Sequence, residues 1–157
     1  MTVTTPAPAP PTDVNHSLVT GHQLTVALPY GLHTPRVARQ ITARWLAARG
    51  VPASRMGNAV LVVSELVTNA VRHTHEPCTL QLTWHGGRLD VAVADHGEML
   101  LDRSGTPGER GGFGLLLIEG LGGRIKTVPA LGGKTVHATL PLGPASGSHR
   151  SPVHGSA

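Results

Sequence analysis

Glu65 and Asn69 stand four residues apart in NAVLVVSELVTNAVRH, residues 58–73. On a helix that spacing is one turn, and Arg72 and His73 fall on the same stripe. Val62, Val63, Leu66, Val67, Ala70 and Val71 cover most of the remaining circumference, so the run is predicted to be a buried helix. A carboxylate and an amide are costly against a core unless something pairs with them. Asn inside a helix adds roughly a few tenths of a kcal/mol in propensity. A polar ligand lying on the stripe accounts for both. A carboxylate that can take a proton, an amide oxygen that can ligate a hard cation and a guanidinium suit a metal-bound polyphosphate.

Two later segments fit the same chemistry. VAVADHG, residues 91–97, is an alternating apolar strand ending in Asp95, with Gly97 two residues on. GERGGFGLLLIEGL, residues 108–121, runs from glycines into an apolar helix. Glycines ahead of a helix let backbone N–H groups approach phosphate oxygens, and the helix dipole favours the anion. The segment GGKTVHATLPL, residues 132–142, follows.

The elements that must position these residues can be read along the chain. LVTGHQLTVALP, residues 18–29, has the alternation of an edge strand. Thr34-Pro35 opens a helix, Thr as N-cap and Pro in the first turn. That helix is predicted to put Val37, Ile41, Trp45 and Ala48 on one face and to end at Gly50. Ser54 is the expected cap of the second helix, which carries the Glu65/Asn69 stripe to about His73. CTLQLTWHGGRLDVAVAD, residues 78–95, reads as two strands joined at Gly86-Gly87. Residues 98–110 are turn-rich and suit a lid. A helix at about 113–121 and strands at 123–130 and 134–142 complete the pattern. The expected fold is an α+β two-layer sandwich: a mixed, largely antiparallel sheet of about five strands with about three helices on one face.

The order of these segments resembles the ATP-binding domain shared by gyrase-type ATPases, sensor histidine kinases and anti-sigma-factor serine kinases. SELVTNAVRH is most similar to the asparagine box of the small anti-sigma regulatory branch, and the resemblance spans roughly residues 20–142. It implies ATP and Mg²⁺ as cofactors. Glu65 resembles the general base, and Asn69 the Mg²⁺ ligand. Arg72 and His73 match positions near the phosphates and the adenine. Asp95 resembles the carboxylate that accepts the adenine amino hydrogen, and Gly97 the residue that lets the base approach the backbone. Thr135 matches the threonine that supports the adenine end. Gly112 and Gly114 match the second glycine box over the phosphates, and Arg110 or Arg103 could close on the γ-phosphate. Two positions depart from the pattern. Met99 stands where a glycine or proline is usual, and Phe113 stands between the glycines where an arginine is common. These leave the adenine and Mg²⁺ positions intact and bear on phosphoryl transfer. The resemblance therefore implies a kinase that phosphorylates a serine of an anti-sigma-factor antagonist and controls a sigma factor by partner switching. The alternative is a nucleotide-gated protein-binding module without significant kinase activity. A homodimer is left open.

Composition bounds the rest. The chain has 157 residues, a length for one domain, of which 39% are hydrophobic and 3% aromatic, so aliphatic side chains must build the core. The ATP-binding domain is expected over residues 17–142, between disordered tails at 1–16 and 143–157, which are rich in Pro, Ser, Thr and Gly. The single cysteine, Cys78, excludes an internal disulfide and is read as a small core residue. The net charge of +4 comes mostly from arginines spread along the chain, which argues against a nucleic-acid surface. Ten histidines match no standard zinc spacing. No apolar run reaches the ~20 residues of a membrane helix. The N-terminus has neither a basic start nor an apolar signal core. A cytoplasmic protein with no membrane partner is expected.

Overall fold

The computed structural model describes residues 18–97 and 113–143. The element order is β1 (Leu18–Thr20), β2 (Gln23–Leu28), α1 (Thr34–Ala47), α2 (Ala53–Thr74), β3 (Cys78–Trp84), β4 (Arg88–Asp95), α3 (Phe113–Gly120), β5 (Arg124–Ala130) and β6 (Gly133–Pro141). Six strands form one sheet in the order β1-β2-β3-β4-β6-β5. The predicted lid and both predicted tails lie outside the described residues.

The sheet follows the predicted α+β two-layer plan with two differences. Residues 18–29 make two strands, because the chain turns at Gly21-His22 and β1 folds back on β2. Every neighbouring pair is antiparallel, where a mixed but largely antiparallel sheet was expected. Two helices separate β2 from β3, so the chain returns in the opposite sense. β6 inserts between β4 and β5, so those two run in the same direction without touching as a ladder.

Strand parity puts apolar side chains on the helix side. Leu24, Val26 and Leu28 of β2, Leu80 and Leu82 of β3, Leu89, Val91 and Val93 of β4, and Ala138 and Leu140 of β6 are buried there. Their partners across the sheet are Val62, Val63, Val67 and Val71 of α2, with Leu46 of α1 and Ile118 of α3. The apolar residues named for α2 from sequence are all buried.

α1 differs from expectation by one position around its axis. Ala38, Thr42, Trp45 and Leu46 are buried and Ile41 packs, partly buried, against the core, while Val37 and Ala48 are exposed. A small residue at 38 lets α1 lie close to α2. The Thr42 hydroxyl donates to the Ala38 carbonyl at 2.8 Å, which satisfies it inside the core. Thr34 is not the cap either; His33 holds that place, and the Thr34 hydroxyl donates to the Pro29 carbonyl. Pro52 precedes α2, and Ser54 lies within its first turn without capping it.

Candidate functional site

α2 ends beside the end of β4. His75 takes a left-handed conformation, φ 55°, and its N–H donates to the Val71 carbonyl, which terminates the helix. The Thr74 hydroxyl donates to the Ala70 carbonyl at 2.9 Å. Its methyl group then lies against Gly97: a Cβ placed on Gly97 would sit 3.0 Å from Thr74 Cγ2. The same imagined Cβ would lie 2.8 Å from Lys134 Nζ and 3.0 Å from Asp95 Oδ1. No side chain fits at 97, so the glycine is what lets the Lys134 ammonium, the Asp95 carboxylate and the Thr74 methyl crowd together at the end of β4.

Asp95 is the buried polar group of the corner. Its side chain is 2% exposed. Oδ1 accepts the Gly97 backbone N–H at 2.9 Å and the Lys134 ammonium at 2.9 Å. No partner for Oδ2 occurs among the described residues. One carboxylate oxygen is thus committed to holding the turn, and the other is available to an outside donor. Cys78, buried at the start of β3, senses the same environment. Burial first, and the negative charge of Asp95 second, raise its thiol pKa to about 11. It is a closed core thiol and not a nucleophile.

Lys134 was not among the residues singled out from sequence, and Thr135 was. The register explains the exchange. Asp95 pairs with Lys134 and Ala94 with Thr135 across the β4–β6 ladder. Facing residues share a side of the sheet, so Lys134 shares the helix side with Asp95 while Thr135 points to the opposite face. The structure therefore does not bring the Thr135 side chain to Asp95. The signal was present in the strand's own alternation: Val136, Ala138 and Leu140 are the core-facing set, and residue 134 has their parity. Gly133 next to it is required by the backbone, because a Cβ there would overlap the Asp95 carbonyl oxygen.

Glu65 and Asn69 are partly buried on α2, and Arg72 and His73 are exposed near its end. None of the four makes a hydrogen bond or ion pair among the described residues. The simplest local explanation for Glu65, pairing with Arg72 or His73, is thus not realised. No group of three His, Cys, Asp or Glu side chains able to hold a metal occurs among the described residues. A cation here would have to take most of its ligands from a bound anion and water, as Mg²⁺ does with polyphosphates. Gly114 lies in the first turn of α3. Arg103, Arg110 and Gly112 lie outside the described residues.

The opposite face of the sheet carries an open groove of about 710 Å³, lined by Arg88, Asp90, Arg124, Lys126 and His137 among others. It contains none of the predicted site residues and lies across the sheet from Asp95.

The comparisons with known proteins bear on the family and the fold. The family model described as a histidine kinase-like ATPase domain matches residues 30–140, from just after β2 to the end of β6. The chain belongs to that family. Its fold is shared by a crystal structure of the RsbU and RsbW domains of Rv1364c from Mycobacterium tuberculosis. That match has 24% identity and a TM-score of 0.60 over 78% of this chain and 33% of that one. The chain thus spans a third of the length of that relative. A blue-light activated histidine kinase from Erythrobacter litoralis EL346 also matches, with 27% identity and a TM-score of 0.47 over 73% of this chain and 42% of that one. No curated protein matches. No helix of the described residues is long and apolar enough to cross a membrane.

Proposed function

We propose that this chain binds Mg·ATP, transfers the γ-phosphate to a serine of an anti-sigma-factor antagonist protein, and controls a sigma factor by partner switching in the cytoplasm. The observation that carries the nucleotide part is the corner at Asp95: a buried carboxylate with one oxygen that has no partner among the described residues, beside a glycine that admits no side chain. That corner fits an adenine edge, whose exocyclic amine would donate to the free oxygen. Membership of an ATPase-domain family supports the same reading. Asn69, partly buried and unpaired among the described residues, would ligate the Mg²⁺ that bridges the phosphates. Arg72 and Gly114 in the first turn of α3 would face the phosphates, and the resemblance adds Gly112 to them and Arg110 to the terminal one. His73 would lie near the base.

Glu65 would accept the proton of the attacking seryl hydroxyl. Phosphoryl transfer needs little covalent help from the protein, so positioning and charge neutralisation supply most of the acceleration. The Mycobacterium structure that contains an RsbW domain shares this fold. The test is transfer of labelled γ-phosphate to antagonist proteins encoded near this chain's gene. Labelled phosphoserine is expected with the unaltered chain and none with Glu65→Ala. Binding of ATP without transfer to any antagonist would leave a nucleotide-gated binding module.

A further inference from the structure

Among the described residues, the Asp95–Lys134 pair leaves hydrogen-bonding capacity unused on both partners. An ammonium carries three donors. Lys134 spends one on Asp95 Oδ1 and has no second partner among the described residues. Oδ2 has none either. Free donors and a free acceptor therefore stand side by side on the helix-facing side of β4 and β6. Gly97 lets both groups reach the end of β4, because a Cβ there would lie 2.8 Å from Lys134 Nζ and 3.0 Å from Asp95 Oδ1. The carboxylate is 2% exposed and the lysine side chain 19%, so Asp95 forms the floor of the corner and the ammonium stands nearer its mouth.

An adenine edge is the complement of this pair. Its exocyclic amine donates, and the adjacent ring nitrogen N1 accepts. Guanine reverses both: its oxo group accepts and its N1–H donates. We propose that Lys134 is a specificity-determining residue that donates to N1 of the bound adenine while Asp95 Oδ2 accepts from the exocyclic amine. The proposal rests on the adenine-nucleotide reading above and goes beyond it, because a carboxylate alone reads only the amine. Through both contacts the ammonium stays on Oδ1, so no charge is left buried and unpaired. The competing role for Lys134 is simple neutralisation of Asp95. It predicts no sensitivity to N1.

The test is equilibrium binding of ATP and 1-deaza-ATP, which keeps the amine and replaces N1 by C–H, to the full chain and to Lys134→Met. The unaltered chain should bind 1-deaza-ATP about tenfold or more weakly than ATP, the size of one charge-assisted hydrogen bond. Lys134→Met should lose that preference and bind the two alike. If circular dichroism shows Lys134→Met unfolded, Asp95→Asn/Lys134→Met removes the unpaired carboxylate and should likewise show no preference. Equal binding of the two nucleotides by the unaltered chain, or a preference that survives loss of the lysine, overturns the proposal and leaves ATP binding intact. No binding of ATP at all overturns the adenine reading itself, and the proposal with it.

Discussion

Replacing Asp95 by Asn changes one atom and should separate the fold from the ligand. The amide oxygen can keep both protein donors, the Gly97 N–H and the Lys134 ammonium, now at 2.9 Å each. The amide nitrogen then takes the place of Oδ2 and turns a donor toward the adenine amine. Losing a hydrogen bond to a charged acceptor costs about 1.5–3 kcal/mol, or roughly 10- to 150-fold in Kd. The effect on stability is smaller. The lysine is 19% exposed and can turn to water, so losing the charge pair should cost about 1–2 kcal/mol, between the exposed and buried limits. A domain with 5–15 kcal/mol of stability stays folded after that. Calorimetric titration with ATP and GTP, beside a thermal melt, reads both quantities. ATP should weaken by at least tenfold and its advantage over GTP should collapse, while the melt falls by only a few degrees. An unchanged ATP affinity, or a parallel loss for both nucleotides with the preference intact, would refute the assignment of Oδ2 to the base.

Other outcomes follow from the same geometry. Asn69→Ala should bind ATP with an affinity that no longer responds to added Mg²⁺, measured by titration with and without the metal, because the amide oxygen is assigned to the cation. Glu65→Ala should bind ATP within about twofold of the unaltered chain and show no phosphoserine in a transfer assay, since it is assigned to the proton. Thiolate absorbance should place the Cys78 ionisation at about pH 11, and Asp95→Asn should move it down, burial remaining as the larger cause. A thiol pKa raised by folding stabilises the protein fully below the unfolded thiol range near ~8.5. That contribution should be lost as pH rises through about 11, which an alkaline melt series would record.

The parts of this molecule that were legible in its sequence are those where one periodicity dominates. In α2 the polar stripe through Glu65 and Asn69 contrasts with a nearly continuous apolar surface, so helix and buried face follow directly. The β3–β4 hairpin was equally readable, because seven or eight alternating residues flank two glycines, and Gly86 and Gly87 both take positive φ. α1 was harder. Val37 and Ala38 are both apolar, as are Trp45 and Leu46. Periodicity alone cannot say that the smaller residue of the first pair is the buried one. Thr34 and Ser54 had the chemistry of caps, but neighbouring backbone drew one hydroxyl away and the helix began before the other. The most consequential misreading was in GGKTV. Matching Thr135 by motif placed it beside Asp95, while strand parity, set by Val136, Ala138 and Leu140, gives that place to Lys134. That the end of α2 meets the end of β4 could not be read from the chain at all, because it depends on Thr74 lying against Gly97 in space.

The central claim is that the corner formed by Asp95, Gly97 and Lys134, together with Asn69, is an adenine-nucleotide site that uses Mg²⁺. Isothermal titration of the full chain with ATP and GTP, each with and without Mg²⁺, tests it most directly. The account predicts saturable one-to-one binding of ATP that tightens with Mg²⁺ and binding of GTP at least tenfold weaker, the size of one charge-assisted hydrogen bond. Indifference to the base, or no heat of binding with Mg·ATP, would contradict it.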